Sequence, residues 1–267
     1  MRRAAHQLLD RPLVFEDPLA ERILGARAKE RLREDIQSDT LYSLQMRSWL
    51  AARSRFAEDM LGEAVAAGTR QYVLLGAGLD TFGYRNPLNE LRVFEVDFPA
   101  SQAWKRELLQ ANGIFVPGTV TYAPVDFEHE SLEDGLLRAG FRRDEPAWFS
   151  WLGVTMYLAR ETTLSTMRWV AESSARTGIC FDYCVPRDSL GPRHQAAFDV
   201  MAERVASVGE PFVGFFEPDE LTVTLQEMGF TQVDDWDAAR LNARYFSNRT
   251  DKLRVAEGLG RILCAQK

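Results

Sequence analysis

The spacing of apolar residues changes once along the chain, shortly after Gly68. Before that point, from Leu41 to Ala67, leucine, methionine, tryptophan and phenylalanine recur at helical spacing, and Gly68 ends the segment. Asp17 followed by Pro18 predicts an earlier helix start, with the aspartate as N-cap and the proline in the first turn. We therefore expect residues 1–68 to form a helical N-terminal cap.

After that point, short apolar segments of strand length alternate with helical segments. The predicted strands are Gln71–Leu75, Arg92–Asp97, Val120–Val125, Ala147–Val154, Ile179–Val185, Phe230–Trp236 and Arg261–Ala265. The predicted helices run from Pro99 to Gly113, Ser131 to Gly140, Glu161 to Thr177, Pro192 to Val208 and Pro218 to Met228. Repeated strand–helix–strand units need crossover connections, which give a mostly parallel sheet covered on both faces. The sequence therefore predicts an α/β fold with seven strands, in which residues 69–267 form one compact unit.

The composition of the chain limits the classes of molecule that it could bind. The chain has 267 residues and a net charge of −7, which disfavours nonspecific binding to nucleic acid or to an anionic membrane. The longest apolar run, around residues 147–159, is too short to span a bilayer, and the charged N-terminus does not resemble a signal peptide. The three cysteines and three histidines fit neither a disulfide framework nor a zinc spacing. These features predict a cytoplasmic, reduced protein that binds a small molecule and no metal.

The segment YVLLGAGLDTFGYR, residues 72–85, joins a buried strand to a loop containing glycine. Gly76 and Gly78 allow the backbone to approach a ligand that a Cβ atom would block. A dinucleotide fingerprint needs a third glycine where Thr81 stands, and a Walker loop needs a following Gly-Lys-Ser/Thr, which this segment lacks. Asp80 would repel a pyrophosphate and favours a cationic ligand instead. S-adenosylmethionine meets that requirement, because it carries an ammonium and a sulfonium but no phosphate.

Acidic residues follow at the ends of the next two predicted strands. Glu95 and Asp97 lie on one side of the second strand, and Asp97 stands at its tip, where an acid can accept both hydrogen bonds of a ribose diol. Asp126 ends the third strand, where it could accept the adenine amino hydrogen while Phe127 reads and packs against the ring. A surface acid at one strand end is common, but acids at successive strand tips favour a single nucleoside site.

Together these segments resemble the leucine carboxyl methyltransferase superfamily. The resemblance is carried by LLGAGLDTFGYR, VFEVDFPASQAWKRELL, VDF and FSWLGVTMYL, and it extends from RRAAHQLLDRPLVFEDPLA to GRILCAQK, nearly the whole chain. It is strongest to the bacterial branch of S-adenosylmethionine-dependent methyltransferases and polyketide O-methyltransferases. The resemblance implies a class I methyltransferase-like (Rossmann-like) fold, with S-adenosyl-L-methionine as cofactor and S-adenosyl-L-homocysteine as product.

The resemblance also implies roles for individual residues. AARSRFAED is similar to the family's arginine-bearing helix, so Arg53 is expected to pair with the cofactor carboxylate. Without the resemblance, Arg53 would be an ordinary surface arginine. The other implied contacts are the methionine portion at Gly76 and Gly78, the ribose at Asp97, and the adenine at Asp126 and Phe127. Carboxyl-methylating members tend to carry an acid at the end of the fourth strand, where this chain has Leu152, which predicts a more apolar acceptor pocket.

The predicted function is methyl transfer, with O-methylation of a small hydrophobic acceptor that bears a carboxylate or a phenol. Candidate acceptor contacts are Tyr157, just past the fourth strand, and Asn248 with Arg249 in YFSNRTD, although a packed tyrosine and a simple turn explain the same residues. Two alternatives stay open: a nicotinamide-dependent oxidoreductase, which Asp80 and the missing third glycine disfavour, and a noncatalytic protein that binds S-adenosylmethionine. The sequence identifies no catalytic base and sets no oligomeric state.

Overall fold

A computed structural model describes residues 1–88, 90–126, 129–174, 176–207, 209–251 and 253–267. In those residues, seven strands form one sheet in the order β3-β2-β1-β4-β5-β7-β6. The strands are β1 (Gln71–Leu75), β2 (Arg92–Asp97), β3 (Val120–Pro124), β4 (Ala147–Trp151), β5 (Thr177–Cys184), β6 (Gln232–Trp236) and β7 (Gly260–Gln266). β7 runs antiparallel to β5 and β6, and the other neighbouring pairs are parallel. The predicted mostly parallel, seven-stranded sheet is confirmed.

Helices cover both faces of this sheet. They are α1 (Arg2–Leu9), α2 (Ala26–Ser38), α3 (Leu41–Ala66), α4 (Phe82–Arg85), α5 (Pro99–Ala111), α6 (Leu132–Arg138), α7 (Arg160–Ser173), α8 (Pro192–Ala206), α9 (Pro218–Glu227) and α10 (Ala238–Tyr245), with 3₁₀ turns at Thr155–Tyr157 and Arg187–Ser189. Alternate residues of β1 enter opposite apolar clusters: Val73 packs in one, and Leu74 packs with Phe56 of α3 in the other. Burial on both faces explains why the central strands are almost continuously apolar.

Within residues 1–68 the chain forms α1, α2 and α3, and α3 lies in the segment with helical spacing of apolar residues. The prediction that a helix begins at Asp17–Pro18 is wrong. Residues 18–23 form turns instead. The Asp17 carboxylate accepts a hydrogen bond from the Leu19 amide at 3.2 Å, as a cap would, but it also accepts one from Thr81 Oγ1 at 2.7 Å. This tertiary contact fixes the turn against the loop after β1. Among the described helices, none is both long enough and apolar enough to cross a bilayer.

Several element boundaries differ from the sequence prediction. β4 ends at Trp151 rather than Val154, because Gly153 has a φ of +76° and turns the chain. α7 ends at Ser173, four residues earlier than predicted, and β5 therefore begins at Thr177. The helix α10 was not predicted, although Asp237 caps its first turn by accepting a hydrogen bond from the Arg240 amide at 2.9 Å.

Candidate functional site

The candidate site lies where the strand order of the sheet reverses. β1 has β2 on one side and β4 on the other, so a crevice opens beyond the carboxyl ends of β1 and β4. A cleft of about 260 Å³ is found there. It is lined mainly by residues 76–80 after β1, by Leu152 after β4, and by Leu50 and Arg53 of α3. We call this space the glycine cleft.

The two glycines of the loop adopt backbone conformations that favour glycine. Gly76 has a φ of +66° and Gly78 a φ of +43°. A Cβ atom on Gly76 would lie 2.6 Å from Val154 Cγ2, so this glycine also allows close packing against the loop after β4. A Cβ atom on Gly78 would meet only the Gly76 carbonyl oxygen, at 3.9 Å, and so would project into open space. Gly78 therefore leaves room beside the backbone for a ligand.

Asp97 is joined directly to this loop. It stands at the end of β2, and its Oδ2 accepts a hydrogen bond from the Gly78 amide at 2.5 Å. Its Oδ1 accepts another from the Phe98 amide at 2.8 Å, just before α5 begins. Asp97 itself does not line the glycine cleft, but the bond from the Gly78 amide holds its partly buried carboxylate next to Gly78, which does line it.

The negative charge of Asp80 is balanced by neighbouring arginine side chains. Its Oδ2 lies 2.9 Å from Arg3 Nη1, and its Oδ1 accepts a hydrogen bond from the Phe82 amide at 2.7 Å. Burial acts to raise the pKa of Asp80, but Arg3 and Arg85 outweigh it and hold that pKa below its usual value. The carboxylate is ionised, as the argument for a cationic ligand requires. Arg3 of α1 neutralises part of the charge of the Asp80 carboxylate, and the sequence did not predict this contact.

Arg53 lies between two spaces. It lines the glycine cleft and also a larger cavity. Its Nη1 donates a hydrogen bond to Asp182 Oδ2 at 2.7 Å, and its Nε is buried without a hydrogen-bond partner within the described part of the chain. Gly153, which has a φ of +76°, packs closely against this side chain, since a Cβ atom there would lie 3.0 Å from Arg53 Nη1.

Glu95 does not reach the glycine cleft. Its carboxylate is buried, with Lys105 Nζ at 2.8 Å and a hydrogen bond accepted from the Tyr84 hydroxyl at 2.8 Å. Burial raises the pKa of Glu95, and the contacts with Lys105 and Tyr84 only partly offset this effect. The structure therefore places Glu95 under α5, in a buried polar cluster, while Asp97 stands at the strand tip.

Asp126 follows β3 at the same edge of the sheet, but it does not line either space. Its carboxylate lies 2.9 Å from His129 Nδ1, and its backbone oxygen accepts a hydrogen bond from the His129 amide, also at 2.9 Å. Phe127, the predicted adenine neighbour, lies outside the described residues. The adenine contacts stay a prediction.

The larger space is a cavity of about 560 Å³, which we call the acceptor cavity. It lies between α3, α8, the loop after β4 and residues 255–260. Most of its wall is apolar or aromatic, including Trp49, Met156, Phe198 and Phe212. Its charged or titratable wall residues are Arg53, Asp182, His194 and Glu257, together with Tyr42, Tyr157, Tyr183 and Cys184. The cavity shares Leu50 and Arg53 with the glycine cleft, so the two spaces meet at α3.

The candidate acceptor contacts separate in the structure. Tyr157 lines the acceptor cavity, with its ring 5.5 Å from that of Phe212, and burial raises its pKa. Asn248 is exposed in a turn and lines neither space. Arg249 likewise lies outside both, donating a hydrogen bond to the Pro12 carbonyl at 2.5 Å and pairing with Asp251. Only Tyr157 of these three is brought to the cavity.

Sequence reasoning missed two charged residues at the site. Asp182 is fully buried in the middle of β5, in the segment TGICFDYC, and an aspartate inside an otherwise core-like strand is a signal that could have identified it. Arg3 reaches the loop after β1 from α1, donating hydrogen bonds to Asp80 and to the Leu79 carbonyl. Nothing in the spacing around Arg3 indicates that contact.

The residues of the glycine cleft fit S-adenosylmethionine. The unpartnered Arg53 Nε offers a hydrogen-bond donor that a carboxylate could accept. Gly78 leaves open space beside the backbone, and Asp97 presents a carboxylate at the adjoining strand tip. We therefore expect Arg53 to hold the methionine carboxylate of the cofactor, with the methionine portion at Gly76 and Gly78 and the ribose at Asp97.

Comparisons of the sequence identify relatives along nearly the whole chain. The model of the family "Leucine carboxyl methyltransferase" matches residues 1–171. A Bacillus subtilis (strain 168) protein named "Putative S-adenosyl-L-methionine-dependent methyltransferase YktD" is 29% identical over 289 residues, which cover 99% of this chain and 95% of that protein. A Mycobacterium tuberculosis (strain H37Rv) protein of the same designation, Rv3787c, is 34% identical over 182 residues, which cover 65% of this chain and 58% of its own length.

Solved structures show the same fold at low sequence identity. An O-methyltransferase family protein from Burkholderia thailandensis has a TM-score of 0.51 and 13% identity, over 99% of this chain and 67% of its own. Magnesium protoporphyrin IX methyltransferase from Synechocystis, solved with S-adenosylhomocysteine bound, has a TM-score of 0.51 and 10% identity, over 85% of this chain and 87% of its own. The fold class predicted from the sequence is confirmed. The chain belongs to the leucine carboxyl methyltransferase family and is an S-adenosylmethionine-dependent methyltransferase.

Proposed function

We propose that this methyltransferase acts on an oxygen atom of a small, largely apolar acceptor bound in the acceptor cavity. The observation that carries the proposal is the meeting of the two spaces at Leu50 and Arg53. A cavity of about 560 Å³ accommodates a small organic molecule, and its wall is mainly apolar with a few polar groups. An acceptor held there would lie next to a cofactor held in the glycine cleft.

For methyl transfer, the main task of the protein is to position the acceptor and the methyl donor. When bound, S-adenosylmethionine would supply a methyl group on a sulfonium, from which the neutral thioether S-adenosylhomocysteine is a good leaving group. The protein must hold the acceptor oxygen in line with that methyl group, an effect that contributes roughly 7–11 kcal/mol in favourable cases. As an oxygen lone pair forms the new C–O bond, the C–S electron pair returns to sulfur. A carboxylate acceptor loses no proton, whereas a hydroxyl acceptor gives its proton to water or to a wall group such as His194.

The proposal also covers the cellular compartment of the reaction and the class of molecule that the protein binds. The partner is a small molecule rather than a nucleic acid or a membrane, in keeping with the net charge of −7. We place the reaction in the cytoplasm, where reducing conditions keep thiols free. In support of this, Cys180, Cys184 and Cys264 are all unpaired and buried.

Transfer of a labelled methyl group into small-molecule extracts tests the proposal. Purified protein, labelled S-adenosylmethionine and extract are incubated, and labelled products are separated and identified. The variant Ala197→Trp places a large side chain on α8 in the wall of the acceptor cavity, so it should abolish transfer while leaving S-adenosylhomocysteine binding intact. Ala196→Trp is the matched control, because Ala196 is the exposed preceding residue and does not line the cavity.

Three outcomes of this experiment would contradict the proposal. Cofactor binding without any labelled product would favour the noncatalytic alternative. A product labelled on nitrogen or carbon would exclude an oxygen acceptor. Equal activity in Ala197→Trp and Ala196→Trp would exclude the acceptor cavity as the acceptor site.

A further inference from the structure

Asp182 is a buried carboxylate whose two oxygens are both engaged at the boundary between the glycine cleft and the acceptor cavity. Its side chain has no exposed area. Its Oδ2 accepts a hydrogen bond from Arg53 Nη1 at 2.7 Å, and its Oδ1 accepts one from the Gly153 amide at 2.6 Å. Burying a carboxylate is costly unless such partners compensate its charge. Asp182 and Arg53 therefore form a neutral pair in the cavity wall.

This pairing weakens the attraction that Arg53 would otherwise have for a negatively charged acceptor. An arginine exposed to an apolar cavity would attract a carboxylate, because guanidinium and carboxylate groups form strong charge-assisted hydrogen bonds. Here the Asp182 carboxylate, which also lines the cavity, already pairs with Arg53 Nη1, and the unpartnered Arg53 Nε is the donor expected to bind the cofactor carboxylate. An acceptor carboxylate brought to the same guanidinium would meet like charges in a poorly solvated site, where the repulsion is strong.

The other wall groups do not supply a compensating cation. Within the described lining of the acceptor cavity, Arg53 is the one arginine or lysine, and Glu257 adds a further acid. Arg2 and Arg204 stack against the ring of Tyr42, with their guanidinium carbons 5.6 and 4.7 Å from its centre, but neither lines the cavity. Arg2 also pairs with Asp35. Arg53 is thus the one permanently charged cation in that described lining, and Asp182 already pairs with it.

We propose that Asp182 is a specificity-determining residue, which neutralises Arg53 and thereby selects an uncharged acceptor with a hydroxyl group over a carboxylate. This inference rests on the proposed function, because it concerns the acceptor of the same reaction. It goes further by excluding one of the two oxygen classes that the apolar cavity alone would admit. A phenol or an alcohol is the expected acceptor.

The first test compares two probes of nearly the same size, 2-naphthol and 2-naphthoate, by calorimetric titration near neutral pH with saturating S-adenosylhomocysteine. The wild-type protein should bind the naphthol at least about tenfold more tightly than the naphthoate. Asp182→Asn keeps the side-chain shape and one oxygen acceptor but removes the charge, so it should shift the affinity ratio toward the naphthoate by about tenfold or more.

The matched control is Asp59→Asn. Asp59 pairs with Arg55 of the same helix at 2.7 Å, the same distance as the pair of Asp182 with Arg53, and it lines neither space. This variant should leave the ratio of the two probe affinities unchanged. An unchanged ratio in Asp182→Asn, a wild-type preference for the naphthoate, or binding of neither probe would overturn the inference.

The second test needs no substitution and separates this inference from the proposed function. Methyl esters release labelled methanol when treated with base, whereas methyl ethers keep their label. Products formed by the wild-type protein from labelled S-adenosylmethionine and extract should retain the label in base. Base-labile label would overturn the inference and leave O-methylation standing, while the absence of labelled product would contradict both.

Discussion

The carboxylate of Asp97 accepts a hydrogen bond from the backbone amide of Gly78 across 2.5 Å. The tip of β2 is thereby tied to the loop after β1, although the two residues are 19 positions apart in sequence. The same carboxylate is expected to accept the ribose hydroxyls of the cofactor. Asp97 is therefore expected to have two roles, since it fixes the loop and is predicted to bind the ligand beside it.

Substitution of Asp97 should weaken cofactor binding without unfolding the protein. A hydrogen bond to a charged group contributes about 1.5–3 kcal/mol, so Asp97→Ala should lower the affinity for S-adenosylhomocysteine by roughly tenfold to a hundredfold. Asp97→Asn keeps one oxygen acceptor and should lose less. Calorimetric titration measures the affinities, and Asp144→Ala, at an exposed site, is the control. Unchanged affinity in Asp97→Ala would remove Asp97 from the cofactor site.

Gly78 allows the effect of backbone strain to be separated from the effect of blocking the cleft. Gly78 has a φ of +43° and Gly113 a φ of +61°, and neither position has a close neighbour for an added Cβ atom. Alanine in either place should therefore cost roughly 1–2 kcal/mol of folding free energy, because an L-residue is strained there. Of these two glycines, only Gly78 lines the glycine cleft.

The two variants should consequently differ in binding rather than in stability. Gly78→Ala should bind S-adenosylhomocysteine more weakly, since its methyl group would project into the open space where the cofactor is expected, whereas Gly113→Ala should bind it like the wild type. Urea unfolding measures the stability and titration measures the affinity. Equal affinities in both variants would mean that the backbone at Gly78 does not approach the cofactor.

The parts of the site that the sequence predicts are those encoded by short segments. Gly76 and Gly78 directly follow an apolar strand, and Asp97 ends the next one, so parallel pairing of β1 with β2 is enough to bring them together. Glu95 shares the same strand, yet its neighbours Lys105 and Tyr84 hold it beneath α5. The alternation of side chains along a strand predicts on which face of the sheet Glu95 lies, but it does not predict which residues contact its carboxylate.

The parts that the sequence does not predict depend on distant contacts. Arg53 and Asp182 are 129 positions apart, so neither residue indicates the other in a single sequence. Asp17 satisfies a local rule for a helix cap, but its hydrogen bond with Thr81, 64 positions away, fixes a turn there instead. At Asp17 a tertiary hydrogen bond thus overrides the local preference for a helix start.

Asp10 is expected to make the stability of the N-terminal cap sensitive to acid. Its carboxylate lies 2.8 Å from His6 Nδ1 and accepts a hydrogen bond from Arg47 Nε at 3.1 Å. Burial acts to raise the pKa of Asp10, but the hydrogen bonds with His6 and Arg47 outweigh it and lower that pKa below its usual value of 3.8. A carboxyl group whose pKa is lower in the folded state stabilises the fold above its usual pKa, and this contribution is lost as the pH falls through the folded-state value.

Asp10→Asn should therefore lower the free energy of unfolding at neutral pH and make it less dependent on pH in the acid range. In the wild-type protein, part of that free energy should disappear as the pH falls below about 4, when Asp10 takes up a proton. Urea unfolding at neutral pH and at steps down to about pH 3 measures both effects. Asp188→Asn is the control, because the Asp188 side chain is 97% exposed. If Asp10→Asn and Asp188→Asn lose stability in parallel at every pH, the contacts of Asp10 with His6 and Arg47 do not stabilise the cap.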